Sequence, residues 1–190
     1  MDIKIELYYS QIIKAKEDIK KNIDHLTSII NNYNYNSIFI TGIGKSYHIS
    51  KKSIATWQSL QINVHDLLIQ DLFHGDLGII KDNDIIIYIS NSGNTNELIK
   101  ASEYIKNNFK VIQISITNND NCTLKNNMNH SINLCNFKIE EADNFNVVPS
   151  VSSVIFMMFL DLLGINLSEK NGFTKEDFKK NHPDGVGKLL

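Results

Sequence analysis

Asp84-Ile85-Ile86-Ile87-Tyr88-Ile89-Ser90-Asn91-Ser92-Gly93-Asn94-Thr95 is the stretch that decides the fold. Its first half is apolar on both faces, as a strand in the middle of a parallel sheet must be. Its second half is a run of short hydroxyl and amide side chains around a glycine. From Thr95 to about Asn107 the chain reads as helix, with Leu98, Ala101 and Ile105 on one side. Strand, polar turn and helix make the repeating unit of an open α/β sheet, in which ligands sit beyond the carboxyl ends of the strands.

The alternation continues outward. Upstream, Ser37-Ile38-Phe39-Ile40-Thr41 is a short apolar run that stops at Gly42. A helical segment follows from about Ser46 to Leu60, and Asn63 to Leu67 has the make-up of a second strand. Downstream, Lys110 to Ile116 and Ser131 to Leu134 read as strands, Pro149 to Leu163 as a buried helix and Thr174 to Asn181 as a last short helix. Ahead of them all, Ile5, Tyr9, Ile12, Ile19, Ile23, Leu26 and Ile30 recur mostly three or four apart. That spacing predicts an amphipathic helix over residues 2 to about 31 with one buried stripe. The fold class is α/β, with a parallel sheet covered on both faces. No repeat or linker divides the chain, so residues 1–190 are expected to form one domain, a helical segment over 1–35 preceding a core over 37–190.

Composition narrows the partners. Hydrophobic residues make up 42% and charged residues 21% of the 190, and the formal net charge is −2, which gives no basic face for nucleic acid. There is no arginine: all 19 basic residues are lysine. A bound phosphate must therefore be held by lysine, hydroxyls and backbone N–H groups, without a guanidinium fork. Cys122 and Cys135 show neither metal-ligand spacing nor a disulfide framework. The start, Met1-Asp2-Ile3-Lys4, lacks the pattern of a signal peptide, and the longest apolar run, Val154 to Leu160, is short for a bilayer. The expectation is a reduced, cytoplasmic protein without a membrane partner.

Three polar clusters carry the chemistry. Gly42-Ile43-Gly44-Lys45-Ser46 follows the first strand, where glycines admit a ligand close to the backbone and a helix N-terminus attracts an anion. The same residues would also make an ordinary tight turn, and the glycine spacing is too short for a Walker A loop. Ser90-Asn91-Ser92-Gly93-Asn94-Thr95 follows the strongest strand. Hydroxyls at 90, 92 and 95 with the N–H groups of the next helix form a phosphate cradle, and Asn94 with Glu97 also has the spacing of a capping box. The third cluster is dispersed over Phe73-His74-Gly75-Asp76-Leu77-Gly78, Glu140-Glu141 and His182-Pro183-Asp184-Gly185. Spacing alone does not bring its members together.

These blocks, in this order, resemble the sugar isomerase (SIS) family and, within it, the arabinose-5-phosphate isomerases. The resemblance covers roughly residues 37 to 190. His74-Gly75-Asp76-Leu77-Gly78 and His182-Pro183 are its specific parts, and Asn171 to Phe178 also matches; the Ser-x-Ser-Gly turn belongs to SIS domains at large. The resemblance implies a five-stranded parallel sheet flanked by helices, a flavodoxin-like three-layer sandwich, and interconversion of D-arabinose 5-phosphate with D-ribulose 5-phosphate. By position, Lys45, His74, Glu97, Glu141 and His182 match the family's polar active-site residues. Gly44, Ser46, Ser90, Asn91, Ser92 and Thr95 match its sugar-phosphate-binding positions. The resemblance also implies a homo-oligomer, a tetramer, whose neighbouring subunits supply histidines to each site. Its product would enter lipopolysaccharide, capsule or another glycan. Asn94 replaces an acidic residue and Asp184 a glycine. Many relatives continue into a pair of CBS domains, so a chain ending at Leu190 is expected to lack that regulation.

Isomerisation moves a proton between C1 and C2 through an enediol(ate), with one base for the carbon and an acid for the oxygens. Glu141 is the first candidate for the carbon base, on the expectation that desolvation raises its pKa; Glu97 is the second and His182 the third. Ring opening and oxygen protonation are left between His74 and His182, and Lys45 is the electrostatic partner of the oxygens. No metal and no cofactor are called for. The other readings are a 6-phospho-3-hexuloisomerase, a phosphoheptose isomerase, or a non-catalytic sugar-phosphate sensor.

Overall fold

Isoleucine decides the sheet. The computed structural model describes residues 2–189, and in it five parallel strands form one sheet. They are β1 (Ile38–Gly42), β2 (Val64–Asp66), β3 (Ile85–Ser90), β4 (Ile112–Thr117) and β5 (His130–Asn133), in the order β2-β1-β3-β4-β5. Successive side chains point to opposite faces. Ile38, Ile40, Ile85, Ile87, Ile89, Ile114 and Ile116 face one layer, made by α1 (Asp2–Asn31), α2 (Lys45–Ser59) and α4 (Val151–Lys170). Phe39, Ile86 and Tyr88 face the other, made by α3 (Asn96–Asn108) and the segment from Leu67 to Ile80. The three-layer α/β fold expected from the sequence is the fold observed.

Tyr88 and Gln113 pair with each other inside the second of these layers. The hydroxyl of fully buried Tyr88 donates to Gln113 Oε1 at 2.6 Å, and the Gln113 amide donates to the carbonyls of Ser102 and Asn127. Burial pushes the Tyr88 phenol far above its ordinary pKa, so it stays a donor.

Two helices differ from expectation. In α1 the buried stripe is Gln11, Ala15, Ile19, Ile23, Leu26 and Ile30, while Ile5 and Tyr9 are 48% and 60% exposed. Helical periodicity groups residues on a face but does not say what meets the face. Helix α4 runs on beyond Leu163 to Lys170. At 20 residues with a mean hydropathy of 1.8 it is long and apolar enough to cross a membrane, which the run Val154–Leu160 concealed. In this fold it is the core helix, with Ile155, Phe156, Phe159, Leu160, Leu163 and Leu167 buried against the sheet, α1 and α2.

The close approach of α2 and α4 rests on Gly164. A Cβ there would lie 2.3 Å from Nε1 of Trp57, whose indole is fully buried and donates to the Leu160 carbonyl at 2.8 Å. Gly164→Ala is therefore expected to lower the urea-unfolding free energy by about 1–3 kcal/mol through overpacking. Wild-type stability in that variant would contradict this account of the helix contact.

Candidate active site

The chain passes from β1 outward to β2 and then returns to β3 on the other side of β1. Beyond the carboxyl ends of β1 and β3 the two connections diverge and leave a crevice. The first turns of α2 and α3 open onto it. Their N-caps are Gly44 and Thr95, and neither helix has a side-chain hydrogen bond capping it. Two sets of N–H donors, each at the positive end of a helix dipole, are thus left for a ligand.

The serine-rich turn is braced from within. Ser90 Oγ accepts from the Gly93 N–H at 3.0 Å and lies 3.2 Å from Thr95 Oγ1, while Ser92 Oγ accepts from the Asn94 N–H at 3.2 Å. Gly93 sits at φ +63°, and a Cβ on it would meet the Cys122 Cβ at 2.5 Å, so no other residue fits. Asn94 is not half of a capping box. Its amide donates to the Ser92 carbonyl and accepts from the Thr123 N–H at 2.9 Å, tying the turn to the chain beyond β4. An acidic side chain could not make both bonds.

The first turn of α2 is fixed to the neighbouring strand. Tyr47 donates to Asp66 Oδ2 at 2.7 Å, and Lys51 lies 3.2 Å from the same oxygen. Burial and the adjoining Asp66 push the Tyr47 phenol up to about 12. Burial alone would raise the Asp66 carboxyl, but the Tyr47 hydroxyl and Lys51 outweigh it and hold it below its ordinary pKa.

A third helix N-terminus faces the same crevice, and it is occupied. Glu141 Oε2 accepts from the Ser150 N–H at 2.8 Å, the Ser150 hydroxyl at 3.1 Å and the Ser152 N–H at 3.2 Å; Oε1 accepts from the Ser152 hydroxyl. Four hydrogen-bond donors thus surround the half-buried Glu141 carboxylate. A cleft of about 520 Å³ runs from Asn91 and Ser92 past Glu141, walled by Asn118, Asn133 and Lys138. Across Asn91 and Pro149 it adjoins a recess of about 170 Å³ that holds Lys45, Ser46, Ser152 and Ser153. Cys135, in the cleft wall, has its thiol pushed up to about 12 by burial and the Asp18 charge, so it is no thiolate nucleophile.

Residues 33–165 match the SIS domain family. This chain belongs to that family. It is 36% identical over 175 residues to an arabinose 5-phosphate isomerase of Francisella tularensis, covering 91% of this chain and 53% of that protein. An arabinose 5-phosphate isomerase of Escherichia coli is also 36% identical, over 80% of this chain and 48% of its own length. The chain spans about half the length of these curated relatives. A solved protein of E. coli CFT073, in complex with arabinose 5-phosphate, is 30% identical and superposes with a TM-score of 0.82 over 94% of this chain and 95% of that one.

In this SIS domain, Lys45, Ser46, Asn91, Ser92 and Glu141 line the cleft and its recess. Ser90 and Thr95 serve the turn from inside, and Gly44 is the exposed N-cap of α2. Glu97 is exposed on the first turn of α3. His74 is exposed on a short turn after β2, beside Phe73, whose ring packs edge-on against Tyr104. His182 ends α5 (Lys175–Asn181), its ring stacked on Phe178 at 4.1 Å and its Nδ1 2.9 Å from the Phe178 carbonyl. The preceding Asn181 donates to the carbonyl of Ser59, the last residue of α2. Lys45 opens the same helix, whose 15 residues span about 20 Å. Within one chain, His182 and the cleft are at opposite ends. Asp184 pairs with Lys188 on that far side.

The serines at 150, 152 and 153 were not singled out in the sequence, because an apolar run after a proline reads as core. The signal was Pro149-Ser150-Val151-Ser152-Ser153, hydroxyls crowded at a helix start.

Glu141 leads into a loop that is itself closed by a carboxylate. Asp143 accepts from the N–H groups of Phe145, Val147 and Val148, and Asn146 Oδ1 accepts from the Glu141 N–H at 2.6 Å. The Val148 N–H above all, with those of Phe145 and Val147, holds the Asp143 carboxyl below the ordinary 3.8. Because folding lowers this pKa, the loop is held fully above that pH and loosens only as pH falls through the lowered value. In an acid titration followed by NMR, the Val147 and Val148 amide signals should move with a midpoint below 3.8. A midpoint at or above it would contradict the hydrogen bonding.

Proposed function

We propose that this SIS domain is a sugar-phosphate isomerase that interconverts D-arabinose 5-phosphate and D-ribulose 5-phosphate in the cytoplasm. One observation carries the proposal: an arginine-free anion seat, built from the serine-rich turn and the open N-termini of α2 and α3, lies in one cleft with a carboxylate and a lysine. The names of the relatives and the arabinose 5-phosphate complex point the same way.

The phosphate is held by the Ser92 hydroxyl and the N–H groups that begin α3, with the sugar extending toward Lys45 and Glu141. Glu141 Oε1 carries one hydrogen bond, from Ser152, which leaves a lone pair free. It takes the proton from C2 of the open-chain aldose, giving an enediol(ate) whose oxygen charge Lys45 stabilises. The same proton returns at C1, while the hydroxyl on C2 gives up its proton and the oxygen on C1 gains one. Nothing is lost from the sugar, and the ketose results. Glu97 and His182 remain the second and third candidates for the carbon base. His74 and His182 serve ring opening and the oxygen protons from neighbouring copies, in a homo-oligomer whose tetrameric form the family suggests.

Glu141→Gln is expected to lower ribulose 5-phosphate turnover at least about 100-fold while binding of the sugar phosphate stays measurable. Unchanged turnover would refute the role of Glu141. Mixing Glu141→Gln with His182→Ala, after dissociation and reassembly, should restore activity that neither variant has alone. Failure of the mixture to recover any would place His182 outside the shared site.

A further inference from the structure

Helix α1 precedes the residues that match the SIS family, and nothing so far gives it a role beyond packing. Its side chains at 11, 14, 18 and 22 share one face. All four engage the chain from the last residue of β5, Asn133, to Glu140. Asn22 Nδ2 donates to the Asn133 carbonyl at 2.9 Å, and Asp18 accepts from the Asn136 N–H at 2.9 Å and from its side-chain amide. The Lys14 ammonium lies 4.1 Å from the centre of the Phe137 ring, and Gln11 Oε1 accepts from the Glu140 N–H at 3.2 Å. The two segments run antiparallel.

The connection from Leu134 to Ser150 contains neither helix nor strand, so its backbone groups have no ladder to pair with. Its second half is closed by Asp143 and Asn146. Its first half is held from α1, which is anchored by buried Ala15, Ile19 and Ile23. Glu141 sits between the two halves.

We infer that Gln11, Asp18 and Asn22 are positioning residues for Glu141: α1 grips residues 133–140 and so sets where the carboxylate stands at the N-terminus of α4. The functional consequence rests on the isomerase reading. A base displaced by about 1 Å can lose about 100-fold in rate, whereas the side chains of α1 that form the clamp bond to residues 133–140 and not to the first turns of α2 and α3.

The test uses the full chain with Asp18→Ala, Gln11→Ala and Asp18→Asn, the last keeping one acceptor for the Asn136 N–H. The alanine variants should lower kcat for ribulose 5-phosphate about ten-fold or more with KM within about two-fold, and Asp18→Asn should recover most of the loss. Amide exchange at Ser150 and Ser152, whose N–H groups donate to Glu141, should quicken in the alanine variants while exchange in β3 does not. Unchanged kcat, or unchanged exchange at Ser150 and Ser152, overturns the inference. A wild-type chain that turns over no sugar phosphate would sink the isomerase reading instead, and exchange at those two amides would still decide whether α1 seats Glu141.

Discussion

Backbone N–H groups left without a capping side chain, at the first turns of α2 and α3, are the constraint on which the site depends. A chain with no arginine has few other ways to hold a dianion. The reversal of strand order between β1 and β3 brings the two turns to opposite sides of one crevice. Everything near them keeps the donors fixed yet free. Ser90 and Thr95 brace the turn from inside, Gly93 allows it to pass over Cys122, and Tyr47 with Asp66 ties α2 to β2.

The third helix N-terminus is used differently. Glu141 fills the start of α4, so the carboxylate is held by the same kind of donor that the other two helices present empty. An anion placed this way is fixed in direction, and Oε2 is committed to three bonds while Oε1 is not. The surroundings of Glu141 therefore supply position rather than an apolar pocket. That places the demand on whatever holds residues 133 to 149, which is why α1 and the Asp143 loop bear on the proposed chemistry.

Much of this was legible in the chain. β3 could be read because six buried residues in a row leave no solvent face, and the turn after it because glycine and hydroxyls can do little else there. What was not legible lies in contacts between distant segments. The exposure of Ile5 and Tyr9 depends on what packs against α1, not on their own spacing. Asn94 matched a capping box until Thr123, far along the chain, competed for it. Gln11, Asp18 and Asn22 look like the solvated side of an amphipathic helix, and only the path of residues 133–140 turns them into a grip. His182 is held by its own chain far from the cleft, as the resemblance implied for histidines that serve a neighbouring subunit's site.

The two ends of the sheet handle polar groups in opposite ways. At the amino end they are paired among themselves. Asp84, buried, accepts from the N–H groups of Ser37 and Lys81, Asp82 accepts from that of Lys110, and Asn63 donates to the Asn36 carbonyl. That end can be rigid because no donor there is needed for anything else. At the carboxyl end the donors of α2 and α3 stay free, which costs the stabilisation that caps of about 1 kcal/mol each would add. A ligand that completes them recovers it. Stability and function are thus divided along the strands, and the isoleucine core between the two ends lets the open one be held open.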